Sequence, residues 1–287
     1  MKHLTNSITS QCQGVLTTAD VPKHMGAAAR IMLQVLQQSE APRRYLDAVR
    51  VEAVLFHAFH TCTGLWSDTS EGPDYGFDAS LWKKAETYLG EDSSELSLTS
   101  QGPVLGVPTS LLRLAIQLRQ VYRSPLLFTL TELARLKEEV ALWENKLLFH
   151  IEEPRLLSEQ TGNIARDRSC RDISALYALA VSLLLDNISH QAGFSQWQVS
   201  SVVRQSWQLK MAVDILQKHE ADQSWQRSYM GNWPVYTLGS FAPSTAFREV
   251  MRNDLLRRWK LTRMGQSRRF LDDMQKMWDS QDKHGQI

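Results

Sequence analysis

Apolar residues recur three and four positions apart through most of the chain, and the strict alternation of a half-buried strand is almost absent. Val51, Val54, Leu55, Ala58 and Cys62 share one face of a helix predicted from about Arg44 to Leu65. Leu111, Leu114, Ala115, Leu118 and Val121 repeat the pattern after Pro108. Leu133, Leu136, Val140, Trp143 and Leu147 trace the narrow stripe of a helix packing along one neighbour. Ile173, Leu176, Tyr177, Ala180 and Leu184 belong to a helix whose stretch 176–185 is apolar nearly all round, which places it at the centre of the molecule. Val202, Leu209, Val213 and Leu216 mark the next helix, with Ser206 interrupting the stripe. Phe247, Met251, Leu255 and Trp259, then Phe270, Met274, Met277 and Trp278, mark the last two. Gly265 stands between them as the expected left-handed stop. Helices over 22–38 and 78–89 bring the expectation to nine or ten packed helices in one all-α domain.

The breaks in this pattern set the organisation. Residues 66–78 and 90–107 are rich in Gly, Pro, Ser and acids and are expected to be loops. The mixed-charge run at 151–169 is the expected hinge between two halves. No linker is long enough to separate independent cores, so 22–287 reads as a single helical domain after a polar tail at 1–21. The stretch Asn232-Trp233-Pro234 reads as a helix start. A first-turn proline sacrifices no hydrogen bond, Asn232 is placed to cap, and Trp233 is large enough to anchor the start in the core. Gly239 to Pro243 breaks that short helix, and Ser244 or Thr245 is placed to cap the following one. Glu249 falls in its first turn. Arg248, one residue after Phe247, is expected beside the apolar face rather than within it.

Composition narrows the function classes. With 287 residues, 43% hydrophobic and 22% charged, the chain can bury a large core and is not disordered. Its 32 Lys and Arg balance 31 Asp and Glu for a net charge of +1, so nothing pulls it broadly to nucleic acid or an anionic membrane. Cys12, Cys62 and Cys170 are too scattered for a disulfide framework or a C-x-x-C metal site. The opening MKHLTNSITSQCQG lacks the apolar centre of a signal peptide, and the run 176–185 is too short to span a bilayer. These features lead us to expect a soluble protein of the nucleus or cytoplasm with no membrane partner.

Candidate chemistry is sparse. His57 and His60 lie on one side of a helix and could share a metal, but no third ligand is near in sequence, and partly buried histidines are the plainer reading. Asp272-Asp273 resembles an aspartate pair of helical cyclases without the rest of that motif, so solvated carboxylates opposite Arg268 and Arg269 are expected. Arg257, Arg258, Lys260, Arg263, Arg268 and Arg269 form a basic cluster, expected on the exposed side of amphipathic helices. The sequence holds no G-x-S-x-G, S-x-x-K, H-E-x-x-H, P-loop or G-x-G-x-x-G. Nine tryptophans and nine methionines are suited to lining an adaptable apolar pocket. We expect such a pocket where the aromatic-rich helix at 44–65 meets the central helix, lined by Phe56, Phe59, His60, Tyr177 and Trp207.

Four elements together carry a family resemblance. They are PVLGVPTSLLRLAIQLRQVYR at 103–123, ARLKEEVALWENKL at 134–147, LYALAVSLLL at 176–185 and GQSRRFLDDMQKMWDS at 265–280. With Trp233-Pro234 and the helical Arg248, they resemble, in order, the fungal-specific transcription-factor domain over roughly 23–280. That domain is the helical regulatory region downstream of binuclear zinc-cluster modules. Those modules need six cysteines in two close triplets, which three scattered cysteines do not supply. The resemblance implies a regulatory domain that binds a small hydrophobic effector or a protein partner, linked to a fungal metabolite gene cluster. It implies no cofactor, no metal and no specific DNA binding by this chain alone, and leaves homodimerisation open. The alternative is a zinc-cluster-less homologue recruited as a cyclase or isomerase acting on a hydrophobic metabolite.

Overall fold

Helix after helix packs around one apolar segment in the computed structural model. It describes residues 45–67, 78–90, 104–124, 128–152, 164–191 and 201–284, with single positions at 30, 32, 34 and 36. Those four positions are helical and fall within the helix expected over 22–38. Otherwise the described elements are α1 (Tyr45–Thr63), α2 (Ala79–Tyr88), α3 (Thr109–Arg123), α4 (Leu130–Glu152) and α5 (Ile164–Gln191). They continue with α6 (Ser201–Lys218), α7 (Gln223–Arg227), a 3-10 turn (Tyr229–Gly231), α8 (Asn232–Ser240), α9 (Thr245–Thr262) and α10 (Gly265–His284). No strand occurs among the described residues, and the fold is all-α.

Two helices carry the core. α5 is buried continuously from Ile173 to Leu185 and packs against α3, α4, α6, α8 and the 3-10 turn, so its all-round apolar sequence is matched by neighbours on every side. Within it, the span Arg168–Ser189 is long and apolar enough to cross a membrane by length and composition, but 78% of its most apolar 18-residue window is buried inside the protein. α8 has all 9 of its residues buried and packs on α5, α9 and α10. Gly239 permits that crossing, because a Cβ there would lie 2.9 Å from the Met274 methyl and 3.1 Å from Met251 Cβ. α1 packs on α3 and reaches the core from the other side.

Local sequence explains most boundaries. Asp78 starts α2 by accepting from Ser80 N at 2.9 Å and Leu81 N at 3.1 Å. Thr129 and Glu132 form a reciprocal capping box at the start of α4: Glu132 N donates to Thr129 Oγ1 at 3.2 Å, and Thr129 N donates to Glu132 Oε2 at 2.8 Å. Pro234 sits in the first turn of α8, where its missing N–H leaves no gap.

Other expectations need correction. Asn232 is not the cap of α8. Gly231 occupies that position, and Asn232 is the first helical residue, with its amide oxygen buried. Gly265 is not a stop either. α9 ends at Arg263, which takes the left-handed conformation at φ 55 and donates its N–H to Trp259 O at 2.9 Å. Gly265 then opens α10. A side-chain-bearing residue pays about 1–2 kcal/mol for that backbone. Ser244 precedes α9 as expected, but without a capping bond from its hydroxyl. The short α7, begun by Asp222 accepting from Ser224 N at 2.8 Å, has too few residues to show a period. The proposed hinge at 151–169 is helical at both ends, since α4 runs through Glu152 and α5 starts at Ile164; 153–163 lies outside the described residues.

Candidate functional site

α1 delivers Phe56, Phe59 and His60 toward α5, the 3-10 turn and α8. Phe56 meets His60 edge-on at 4.2 Å and Tyr229 at 4.9 Å between ring centroids. Phe59 meets Tyr177 at 5.7 Å and Trp233 at 5.2 Å, and Tyr177 stacks on Trp233 at 5.6 Å with 17° between planes. These are favourable aromatic geometries, and Phe59, Tyr177 and Trp233 are buried. Four of the five expected pocket residues are therefore neighbours. The fifth, Trp207, is half-buried on α6 and packs against the core; among the described residues its ring contacts none of the other four. Periodicity gave no hint of Tyr229, which lies in a 3-10 turn, or of Trp233, whose part in the cluster follows from where α8 docks.

The polar atoms of this cluster are incompletely paired. His60 Nδ1 lies 2.5 Å from Gln266 Nε2 of α10. His60 Nε2, His57 Nδ1, Asn232 Oδ1 and Trp233 Nε1 are all sealed from solvent without a hydrogen-bond partner among the described residues. Each such atom costs about 1–3 kcal/mol relative to a paired one. Burial, reinforced by the neighbouring His57, pushes the His60 imidazole down to about 3, and burial lowers His57 as well. Both rings are thus uncharged at neutral pH. With the Gln266 amide N–H donating to Nδ1, the His60 proton sits on Nε2, which becomes a buried donor. Burial raises the Tyr177 phenol well above its ordinary value, and burial with the Glu52 charge raises Tyr229. Glu52 itself accepts from Val104 N at 2.8 Å.

A second buried cluster lies one turn beyond α1. Asp273 of α10 accepts from Trp66 N at 3.0 Å, Ser67 N at 3.2 Å, the Ser67 hydroxyl and the Tyr236 phenol. Tyr236 stacks flat on Phe270 at 4.1 Å, and its phenol is raised by burial and by Asp273. The expectation of two solvated aspartates therefore fails for one of them. Asp272 is exposed and pairs with Arg268 at 3.2 Å, whereas Asp273, one residue on, faces the core. The basic cluster divides similarly. Lys260, Arg263, Arg268 and Arg269 are exposed. Arg258 is buried, binds Asp254 at 2.5 Å and the carbonyls of Ser228 and Trp225 at 2.6 and 3.1 Å, and covers the Trp225 ring. Gly231 makes room for it, since a Cβ there would stand 2.7 Å from its Nη1.

Arg248 secures the break between α8 and α9. Its Nε donates to Ala242 O at 3.0 Å, its Nη atoms reach Asp282 and Gln281 at 2.9 Å, and its guanidinium covers Trp278 at 5.6 Å. Trp278 in turn donates to Gly239 O at 2.8 Å. Thus the Trp-Pro helix, the break and the helical arginine form one clamp on the last helix. The sequence model of the fungal specific transcription factor domain matches residues 20–287. The chain belongs to this family. No curated protein and no solved structure matches it. As a fungal transcription factor domain it is regulator-like in role. Its Arg248 ties α9 to the break after α8 and to α10, while Trp233 packs on Phe59 of α1 and Tyr177 of α5. No group of three or more potential metal ligands occurs among the described residues.

Proposed function

We propose that this domain senses a small hydrophobic effector, bound among Phe56, Phe59, His60 and Tyr177 with Trp233 as a fifth wall, and that occupancy changes how α1 packs on α5 and α8. The observation that carries this reading is the set of buried, unpaired polar atoms inside an aromatic cluster. A purely structural core gains nothing from burying His60 Nε2 and Trp233 Nε1 without acceptors, whereas a ligand supplies what they lack. His60 also touches Gln266 of α10, so a molecule that moves His60 bears directly on the clamp around the last helix. An effector linked to a fungal metabolite gene cluster, and work in the nucleus, belong to the same proposal.

The test is a thermal-shift screen of apolar aromatic metabolites, followed by titration of the hits on intrinsic tryptophan fluorescence. Saturable binding that raises Tm and is lost in Phe59→Leu supports the reading. Hits that bind Phe59→Leu as tightly as the parent chain place the effector elsewhere and reject this site.

A further inference from the structure

Resting on the effector reading, we infer that the site takes an uncharged, planar molecule with a carbonyl oxygen, its ring against Phe59 and its oxygen accepting from the N–H groups of His60 and Trp233. The imidazole of His60 and the indole of Trp233 both pack edge-on against Phe59, with ring centroids 5.4 and 5.2 Å from its own. Both rings carry N–H groups, sealed from solvent and unpaired among the described residues, so the group they need is an acceptor. Asn232 Oδ1, on the residue beside Trp233, is an unpaired acceptor and fits a hydroxyl or N–H on the same molecule.

Charge argues for a neutral ligand. The two imidazoles are held uncharged by burial. Arg258, buried against Gly231 at the start of α8, already has its charge matched by Asp254 at 2.5 Å. The Glu52 carboxylate is occupied by backbone N–H groups of Val104 and Leu105. A carboxylate or phosphate entering here would lose its hydration, and Arg258 beside Gly231 is already paired with Asp254. Shape argues for a flat one. Phe56, Phe59, Tyr177, Tyr229 and Trp233 present ring faces and edges, which favour an aromatic plane over a bulky aliphatic skeleton. A bare hydrocarbon of the same shape would leave both donors unsatisfied, the situation in which a hydrogen-bonding site discriminates most strongly.

The experiment uses fluorenone and fluorene, which share a skeleton and differ by the carbonyl. Calorimetric titration of the full chain should show fluorenone binding at least about tenfold more tightly, the effect of one satisfied hydrogen bond. His60→Phe, with its fold checked by circular dichroism, should erase most of that preference while retaining fluorene. An infrared measurement on the unaltered chain guards against a variant that does not fold: the carbonyl stretch of bound fluorenone should move to lower frequency than in an apolar solvent. Equal affinities, or an unshifted carbonyl, overturn the carbonyl assignment and leave the effector site standing. Failure of both probes to bind, while screen hits still bind and are lost in Phe59→Leu, also overturns the planar-ketone class alone. Failure of both probes together with an empty screen rejects the site itself.

Discussion

Two buried polar clusters tie the region of α1 to α8 and α10, and they are finished to different degrees. Around Asp273, a single carboxylate collects two backbone N–H groups, a hydroxyl and a phenol, so the turn after α1 is held to α8 and α10 with its polar groups matched. Around His60, the same two helices meet with four side-chain atoms unmatched among the described residues. The first arrangement is what a core needs, since a satisfied network specifies one packing. The second is costly for a core and useful for a site. A matched network thus holds the turn after α1, and the polar atoms left without partners among the described residues lie beside it.

Substitutions can break or sharpen this contrast. The largest effect is expected from Trp233→Ala, about 3–5 kcal/mol in urea unfolding, because the whole ring is buried even though its N–H is unpaired. Trp233→Phe should retain most of that stability, separating the ring's packing from its donor. Asp273→Ala should cost about 3 kcal/mol by orphaning several buried donors at once, whereas Asp272→Ala should stay within about 0.5 kcal/mol. If the two aspartates behaved alike, the distinction drawn between a matched buried network and a solvated pair would fall.

Acid offers a subtler probe. The folded His60 imidazole lies near 3 and its ordinary value is 6.5, so the unfolded chain takes up the proton first. The stability this ring confers is therefore intact above about pH 6.5 and is lost as pH falls toward 3, with a limiting slope of about 1.4 kcal/mol per unit. Urea unfolding at pH 7 and pH 5 should show a smaller difference in His60→Phe than in the parent chain. A small effect is also expected from His57→Phe. Exchanging an imidazole whose buried Nδ1 has no partner among the described residues for an apolar ring should change stability by less than about 1 kcal/mol, or raise it. A loss as large as that of Asp273→Ala would mean that His57 has an essential partner.

The helices were legible from periodicity alone. The stripes at 51–62, 111–121, 133–147 and 247–259 all fall within observed helices, and the apolar run at 176–185 marked the central one. Errors gathered where a single residue serves a neighbour in space rather than in sequence. Asn232 has the chemistry of a cap, yet the preceding 3-10 turn moves the helix start and buries its side chain. Gly265 has the freedom to end a helix, yet Arg263 does so two residues earlier.

The same division runs through the site. Phe56, Phe59 and His60 of α1 could be grouped with Tyr177 of α5 beforehand because an aromatic-rich helix was expected to meet the all-round apolar one. Trp207, grouped with them, makes no ring contact with the four among the described residues. Tyr229, Trp233 and Gln266 could not be grouped beforehand, because their contacts depend on the docking of α8 and α10 against α1. By itself, then, the order of apolar and polar residues determined an all-α domain, since burying a periodic stripe is a local requirement that each segment expresses alone. The resemblance to the family rested on a few specific motifs such as Trp233-Pro234. Which carboxylate would be spent on structure, which arginine would go inside, and which imidazole would meet Gln266 were decided by tertiary packing. Adjacent residues such as Asp272 and Asp273 have the same chemistry and differ only in which neighbour their helix turns them toward.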